Sequence, residues 1–256
     1  MTDLRLTFDE DPEVYDRVRP AYPPQLFDDF SEMLGDAMAP EICEVGAGTG
    51  KATESLLNLG AQVTGVEIGA SNAAFLRRKF RGRAIEIVHA SYESAVLRGG
   101  YGATVAATAW HWLDPATRLV RSASLLADHG VLAIIDTNQV ESPVDRGYFA
   151  ASQAIYARHG DHSAVPMPGR AVVPPAFSEV LRTPLFGMPE LRRYDWDQTY
   201  TRADYQDLMR SYSGMRAMGV ERREALIAEL GEFIDAEFGG RVTRPLVITL
   251  VAARKA

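Results

Sequence analysis

The sequence contains almost no cysteine, because Cys43 is the single one among its 256 residues. This excludes an intrachain disulfide, and the apolar run around Cys43 predicts a buried strand residue in a reduced, cytoplasmic compartment rather than a nucleophile. The chain also lacks an apolar run long enough to span a membrane, and its acidic start lacks the features of a signal peptide. We therefore expect neither export nor membrane insertion.

Basic charge is also scarce. The chain has 27 Lys and Arg against 34 Asp and Glu, a net charge of −7 and a sequence pI of about 5.3. Recognition of a phosphate backbone usually needs the opposite balance. The clusters LRRKFRGR and ERRE are more typical of solvated helix faces and ends. We expect a small-molecule partner and no nucleic acid.

The histidines do not predict a metal site. His89, His129, His159 and His162 show no ligand-like spacing with cysteines or carboxylates, although the segment HGDH contains two of them. We therefore expect no bound metal.

What the sequence does contain is an alternation of apolar runs between residues 40 and 138. This pattern predicts a parallel sheet covered by helices on both faces. Helices are predicted over 51–59, 71–81 and 115–127, and strands over 42–45, 62–68, 84–89, 104–108 and 131–136.

After residue 138 the alternation stops. Helical spacing over 144–158 is followed by a proline-rich loop, a strand over 191–199, helices over 202–211 and 221–238, and a strand over 245–253. The pattern predicts one domain over 1–256. Its parts are an N-terminal lid segment (1–39), a cofactor-binding core (40–138), an inserted cap (139–190) and a C-terminal part of the core with helices (191–256).

The segment EICEVGAGTGKATESL carries three glycines at alternate positions, Gly46, Gly48 and Gly50. A phosphate-binding P-loop would place its first glycine at Val45 and its final hydroxyl at Ala52, so that interpretation fails twice. A dinucleotide fingerprint fits the first two glycines, but its third would come one residue after Gly50. This weakens a nicotinamide-binding interpretation without excluding it.

A third interpretation includes the acidic residue ahead of the glycines. The pattern Glu44-x-Gly46-x-Gly48-x-Gly50 resembles motif I of the class I S-adenosylmethionine-dependent methyltransferases. Small residues let a bulky sulfonium amino acid lie against bare backbone, and a carboxylate favours its positive charge. Glu67 ends the next predicted strand 21 residues after Gly46, where a carboxylate can accept hydrogen bonds from both ribose hydroxyls.

The resemblance extends along residues 12–138 and, more loosely, into the tail. The segments YDRVRPAYPPQLFDDF and AATAWHWLDPATRLVRSASLLADHGVLAII are similar to those of the group related to trans-aconitate methyltransferases. The resemblance implies a Rossmann-like three-layer α/β/α sandwich. Its seven-stranded, mostly parallel sheet would end in an antiparallel strand over 247–251, with a helical cap inserted after strand five. It also implies S-adenosyl-L-methionine as cofactor, S-adenosyl-L-homocysteine as product and a small-molecule methyl acceptor.

The same resemblance implies a set of cofactor-binding residues at the carboxyl ends of the strands and in the lid. Arg19 would pair with the cofactor carboxylate or, equally, pin the N-terminal helix. Ser91 stands where an acidic residue often contacts adenine. The full set is Tyr15, Arg19, Glu44, Gly46, Ala47, Gly48, Gly50, Glu67, Ile68, Ser91, Tyr92, Thr108, Ala109 and Trp110.

The WHW segment is where cofactor and substrate would meet. His111 is the candidate general base, although methyl transfer from a sulfonium can proceed by positioning alone, and a hydrogen-bonded imidazole below the substrate is favoured. Candidate substrate contacts are Tyr22, Trp112, Tyr148 and Tyr200. A monomer or homodimer is expected. Two alternatives stay open, namely a non-catalytic S-adenosylmethionine-binding protein and a nicotinamide-dependent oxidoreductase.

Overall fold

The computed structural model describes residues 9–35, 40–161 and 166–256. The chain divides into two compact units. The unit here called the sheet unit comprises residues 21–137, 173–194 and 248–256. The helical unit comprises residues 1–20, 138–172 and 195–247.

The described residues form helices and strands in the following chain order. They are α1 (Pro12–Val18), α2 (Pro24–Leu34), β1 (Glu41–Val45), α3 (Lys51–Asn58), β2 (Gln62–Glu67), α4 (Ala70–Lys79), β3 (Ile85–His89), β4 (Tyr101–Ala107), α5 (Arg118–Leu125), β5 (Leu126–Gln139), α6 (Tyr148–Arg158), α7 (Pro175–Leu181), β6 (Glu190–Asp195), β7 (Gln198–Thr201), α8 (Arg202–Arg210), α9 (Ser213–Arg216), α10 (Val220–Phe238), β8 (Arg241–Arg244) and β9 (Leu246–Arg254).

Seven strands form one sheet in the order β3-β2-β1-β4-β5-β9-β6. The pairs among β1 to β5 are parallel, and Val45 lies opposite both Val66 and Ala106. The strands β1, β2 and β4 therefore end level with one another. Since each is buried along most of its length, their apolar runs predicted them correctly.

The last strand runs antiparallel to its neighbour β5. Val140 donates its backbone N–H to the Pro245 carbonyl, and Lys255 donates to the Gly130 carbonyl. Residue numbers therefore rise along one strand as they fall along the other. This confirms the predicted mostly parallel sheet with an antiparallel final strand.

Within the helical unit, the helices α6, α8 and α10 pack around an apolar core. Its fully buried members include Leu208, Leu226 and Leu230, which recur at helical spacing on α8 and α10. The antiparallel pair β7 and β8 belongs to the same unit, with Thr201 opposite Arg241.

The structure divides the second half of the chain differently from the predicted segments. Residues 138–172 belong with residues 195–247 in the helical unit, whereas residues 173–194 belong to the sheet unit. The physical reason is the apolar pattern of each element. Val180 of α7 packs into the sheet core, while α8 and α10 pack on one another. The helix α7 begins in the proline-rich loop because Pro175 occupies its first turn, where its missing N–H costs nothing.

The described part of the chain contains no helix long and apolar enough to cross a membrane. It also contains no group of three His, Cys, Asp or Glu side chains arranged to hold a metal ion. His162 lies outside the described residues.

Candidate active site

The glycine loop follows β1 and leads into α3. Gly46, Gly48 and Gly50 all have positive φ, at +66°, +57° and +85°, a backbone conformation that side chains disfavour. A Cβ on Gly46 would lie 2.7 Å from that of Ala109, and one on Gly50 would lie 2.3 Å from the Phe80 ring. The first and third glycines are therefore required by packing as well as by backbone conformation.

Gly48 differs from the other two glycines. A Cβ built on it would meet only the Gly46 carbonyl oxygen, at 3.9 Å. Its bare backbone therefore borders open space, where a ligand can lie directly against it. A site that holds a bulky ligand against bare backbone needs this property. It fits the cofactor that the sequence resemblance implies.

Glu67 connects this loop to the end of β2. Its two carboxylate oxygens accept the backbone N–H groups of Gly48 and Gly69, each at 2.7 Å. The side chain is buried, and these bonds fix both of its oxygens beside the open face of Gly48. A carboxylate oxygen has more than one lone pair, so each can accept a further hydrogen bond.

Glu44 lies in β1, as predicted, and has a buried environment. It is fully buried and accepts a hydrogen bond from the Thr53 hydroxyl in the first turn of α3. Burial, with a smaller contribution from Glu67, raises the pKa of Glu44 to about 8. The group is therefore mostly a neutral acid at pH 7 and is hydrogen-bonded to the helix start, and its contact with a cofactor stays a prediction.

Thr108, after β4, is one of the few residues other than glycine with positive φ, at +54°. This is unusual for a β-branched residue, and such strain is concentrated at functional sites. The Thr108 hydroxyl lies 2.9 Å from the Tyr22 hydroxyl and 3.4 Å from that of Thr137. The predicted substrate residue Tyr22 thus meets a predicted cofactor residue in the same unit.

Trp110 is buried and hydrogen-bonded to the ion pair of Arg118 and Glu179. Its indole N–H donates to Glu179 at 2.9 Å, and Arg118 forms a two-pronged contact with the same carboxylate. Arg118 also donates to the Trp110 carbonyl at 2.8 Å and lies 5.0 Å from its ring centroid. Trp110 therefore positions the loop after β4. Glu179 and Arg118 were missed in the sequence because their partnership joins α7 to α5.

His111 is exposed, and its ring centroid lies 5.1 Å from that of Trp112. Desolvation by its surroundings and, second, the charge of Arg118 lower the pKa of His111. The imidazole is therefore neutral at pH 7 and able to accept a proton. A neutral imidazole agrees with His111 as a general base. It agrees equally with His111 as a hydrogen-bonded residue below the substrate.

The residues after β2 and β3 have mixed environments. The Ile68 carbonyl lies 3.2 Å from His89 Nε2, and the Ser91 hydroxyl lies 2.9 Å from that of Ser94. Tyr92 is buried, with its hydroxyl 3.0 Å from Ser122 Oγ. Its phenol belongs to the core, so its predicted contact with a cofactor would have to be through its backbone.

Tyr15 and Arg19 lie in the helical unit. Arg19 donates to the Ser211 hydroxyl at 2.9 Å and to the Ser211 carbonyl at 2.8 Å. Its guanidinium also lies 4.1 Å from the Tyr212 ring centroid and 4.9 Å from that of Tyr15. These contacts support the structural alternative for Arg19, and its contact with a cofactor stays a prediction.

Tyr148 and Tyr200 are buried in the core of the helical unit. Their rings pack on Tyr205, with centroids 5.4 and 6.2 Å away. Tyr205 in turn lines a cavity of about 380 Å³ within that unit, and neither of the other two tyrosines is among the described residues that line it. Tyr148 and Tyr200 therefore pack behind a residue that lines the cavity and do not line it themselves.

Asp136 was not identified from the sequence. It lies near the carboxyl end of β5, and burial raises its pKa to about 6, although the charge of Arg118 opposes the change. Thr108 donates its backbone N–H to the carbonyl of Ile135, the residue before Asp136, at 2.7 Å. The available signal was an acidic residue directly after the apolar run VLAII.

Comparison with known proteins agrees with this geometry. Residues 43–134 match the family described as a methyltransferase domain. The uncharacterized methyltransferases Rv3342 of Mycobacterium tuberculosis and Mb3374 of Mycobacterium bovis are each 29% identical over 180 residues, covering 70% of this chain and 69% of theirs.

Solved structures share the fold. One from Anaeromyxobacter dehalogenans, described as a type II methyltransferase, has a TM-score of 0.60 and 22% identity, covering 93% of this chain and 96% of that one. Phosphoethanolamine N-methyltransferase 2 of Haemonchus contortus has a TM-score of 0.55 and 10% identity, covering 100% of this chain and 60% of that one. The resemblance to the trans-aconitate group is not specifically tested by these matches. Residues 43–134 are thus similar to a methyltransferase domain, and the chain shares its fold with solved methyltransferase structures.

Proposed function

We propose that the protein moves a methyl group from S-adenosyl-L-methionine to an O, N or C nucleophile of a small molecule by in-line displacement, leaving S-adenosyl-L-homocysteine. The observation that carries this proposal is the arrangement of Glu67 beside Gly48. A fixed carboxylate and an open stretch of backbone lie together at the carboxyl edge of the sheet, which is where open α/β sheets bind their ligands.

The chain's own groups suit the separate parts of this cofactor. Gly48 gives its amino acid portion room against the backbone, and the Glu67 carboxylate is the proposed acceptor for the ribose hydroxyls. The H. contortus structure contains S-adenosylhomocysteine, and we propose the same ligand class here. The remaining predicted cofactor residues keep their proposed positions around it.

The bound cofactor would supply an activated methyl group on a sulfonium. The protein would then need to orient the acceptor and exclude water, which can account for much of the rate. We propose that neutral His111 takes a proton from the acceptor and that Tyr22 and Trp112 contact the acceptor. Tyr148 and Tyr200 would act on the acceptor only through the residues that they support.

The setting of the reaction is also a proposal. The chain's net charge of −7 favours a small-molecule acceptor over a nucleic acid. We propose a cytoplasmic monomer or homodimer without membrane attachment.

Transfer is tested by incubating the protein with methyl-labelled S-adenosylmethionine and the low-molecular-weight fraction of a cell extract. The proposal expects label in a new small molecule and an equal amount of S-adenosylhomocysteine. Binding without product formation would favour the non-catalytic alternative. Hydride transfer with NADH and no binding of the sulfur ligands would favour the oxidoreductase.

A further inference from the structure

The helical unit contains a cavity of about 380 Å³. This volume lies within the range of small-molecule sites. Its described lining combines apolar and aromatic side chains with polar ones: Phe149, Tyr156, Met209 and Met215 on one hand, Gln139, Gln153, Asp161 and Arg244 on the other. Aromatic and apolar surface beside hydrogen-bonding groups can orient an organic ligand.

Arg244 is the cation of this cavity. Its guanidinium donates to the Tyr212 hydroxyl and to the Gln139 side-chain oxygen. Both acceptors are neutral, and no carboxylate among the described residues forms an ion pair with it. An arginine has five N–H donors in a planar fork, so further donors remain for a ligand.

Seven other arginines of the helical unit each pair with a carboxylate. The chain has more acidic than basic residues, and carboxylate partners are common in this unit. Arginines paired with Asp or Glu are Arg17, Arg158, Arg170, Arg202, Arg210, Arg216 and Arg223. Arg244 thus has a positive charge that faces a cavity without a carboxylate partner. Burying the charge without such a partner costs more free energy than burying it as an ion pair.

The other groups of the cavity do not neutralise that charge. Burial raises the pKa values of Tyr156 and Tyr205 above those of ordinary phenols, so both stay neutral at pH 7. Asp161 also lines the cavity and has interactions of its own. A ligand with a negative group is therefore the natural counterion.

We propose that this cavity binds a small organic oxyanion, a carboxylate or a phosphate monoester, with Arg244 as its counterion and the Phe149, Tyr156 and Met209 wall against its apolar body. This inference goes beyond the proposed function, because the cavity lies within the helical unit and its ligand is bound without the methyl donor. The planar guanidinium fork matches both anions in a two-pronged geometry.

The test is calorimetric titration of the full chain, without S-adenosylmethionine, using benzoate, phenyl phosphate and neutral benzamide. The proposal expects at least one anion to bind about tenfold or more tightly than benzamide, since hydrogen bonds between charged groups are stronger than those between neutral ones. The tighter of the two anions identifies the preferred oxyanion. Binding of both anions weaker than about 10 mM, or equal binding of benzamide, would overturn the proposal.

Two variants locate the effect. Arg244→Gln should abolish the preference for the anion, and Arg241→Gln, an exposed arginine on the same strand, should retain it. If Arg244→Gln does not fold, Arg244→Lys keeps the charge and should retain part of the preference. An unchanged preference in folded Arg244→Gln would contradict the proposal. Because these titrations omit the methyl donor, failure of the proposed methyl transfer would leave them interpretable.

Discussion

The Glu67 carboxylate accepts the Gly48 backbone N–H at 2.7 Å, and this bond joins the loop after β2 to the loop after β1. The other Glu67 oxygen accepts the Gly69 N–H at the same distance. One side chain thus orders two loops of the site and presents a negative charge beside open backbone. The structure and the proposed ribose contact therefore depend on the same residue.

The first prediction separates packing from backbone conformation in the glycine loop. Gly50 and Gly60 have nearly equal φ, +85° and +81°, but a Cβ would clash with Phe80 only at Gly50. We expect Gly60→Ala to lower the free energy of unfolding by about 1 kcal/mol through its φ alone. Gly50→Ala should lower it by about 1–3 kcal/mol more. Urea denaturation measures both, and equal losses would show that the contact with Phe80 is unimportant.

The second prediction concerns Glu44 and pH. Its pKa in the folded protein, about 8, lies above the ordinary 4.5, so the folded state holds the proton more tightly than the unfolded state. The stabilisation is therefore full below pH 4.5 and is lost as the pH rises through 8. Between pH 6 and 8 the chain should lose about 2 kcal/mol of unfolding free energy from this group.

Glu44→Gln should reduce that loss, because the amide cannot ionise. Glu86→Gln, an exposed strand residue, should retain it. The measurement is urea denaturation at pH 6 and pH 8. An identical pH dependence in Glu44→Gln and the unaltered chain would mean that Glu44 is ionised in the folded protein.

The third prediction concerns the strained Thr108. Both Thr108→Gly and Thr108→Ala remove its hydroxyl contacts, but only glycine relieves the positive φ. The glycine variant should therefore be more stable than the alanine variant by about 1 kcal/mol. At Thr64, within β2, the order should reverse, because glycine weakens a strand. Thermal unfolding compares the four variants, and a more stable Thr108→Ala would contradict the strained backbone.

The fourth prediction concerns the proton on His111. Because desolvation and Arg118 both disfavour the imidazolium, the pKa of His111 should lie below the ordinary 6.5. An NMR titration of the histidine side chains, assigned with His111→Asn, measures it directly. A value above about 7 would mean that the residue is charged at neutral pH and unsuited to act as a base.

The sequence predicted the sheet well because β1, β2, β4 and β9 are buried along most of their length and form largely apolar runs. It also located the loop Gly46 to Gly50 and Glu67, since their spacing follows from one strand-loop-helix unit. The short strand β8 and the division of the tail between two units were not predicted. Strand β8 and the division of the tail both depend on contacts with residues that are distant in the sequence. The local sequence of a segment does not indicate these contacts.

The same reason explains which environments of the site residues the sequence did not predict. Glu44 is acidic in a glycine motif, yet its effective charge depends on burial and on Thr53. Arg244 is an ordinary strand arginine in the sequence. Only the folded chain shows that its neighbours are a phenol and an amide.

The central claim is tested most directly by calorimetric titration of S-adenosylhomocysteine into the unaltered chain, Glu67→Gln and Glu86→Gln, with NADH as the comparison ligand. We predict saturable binding by the unaltered chain and Glu86→Gln, at least about tenfold weaker binding by folded Glu67→Gln, and no binding of NADH. Equal S-adenosylhomocysteine affinity in all three proteins, or binding of NADH alone, would contradict the assignment of Glu67 and the glycine loop as the cofactor site.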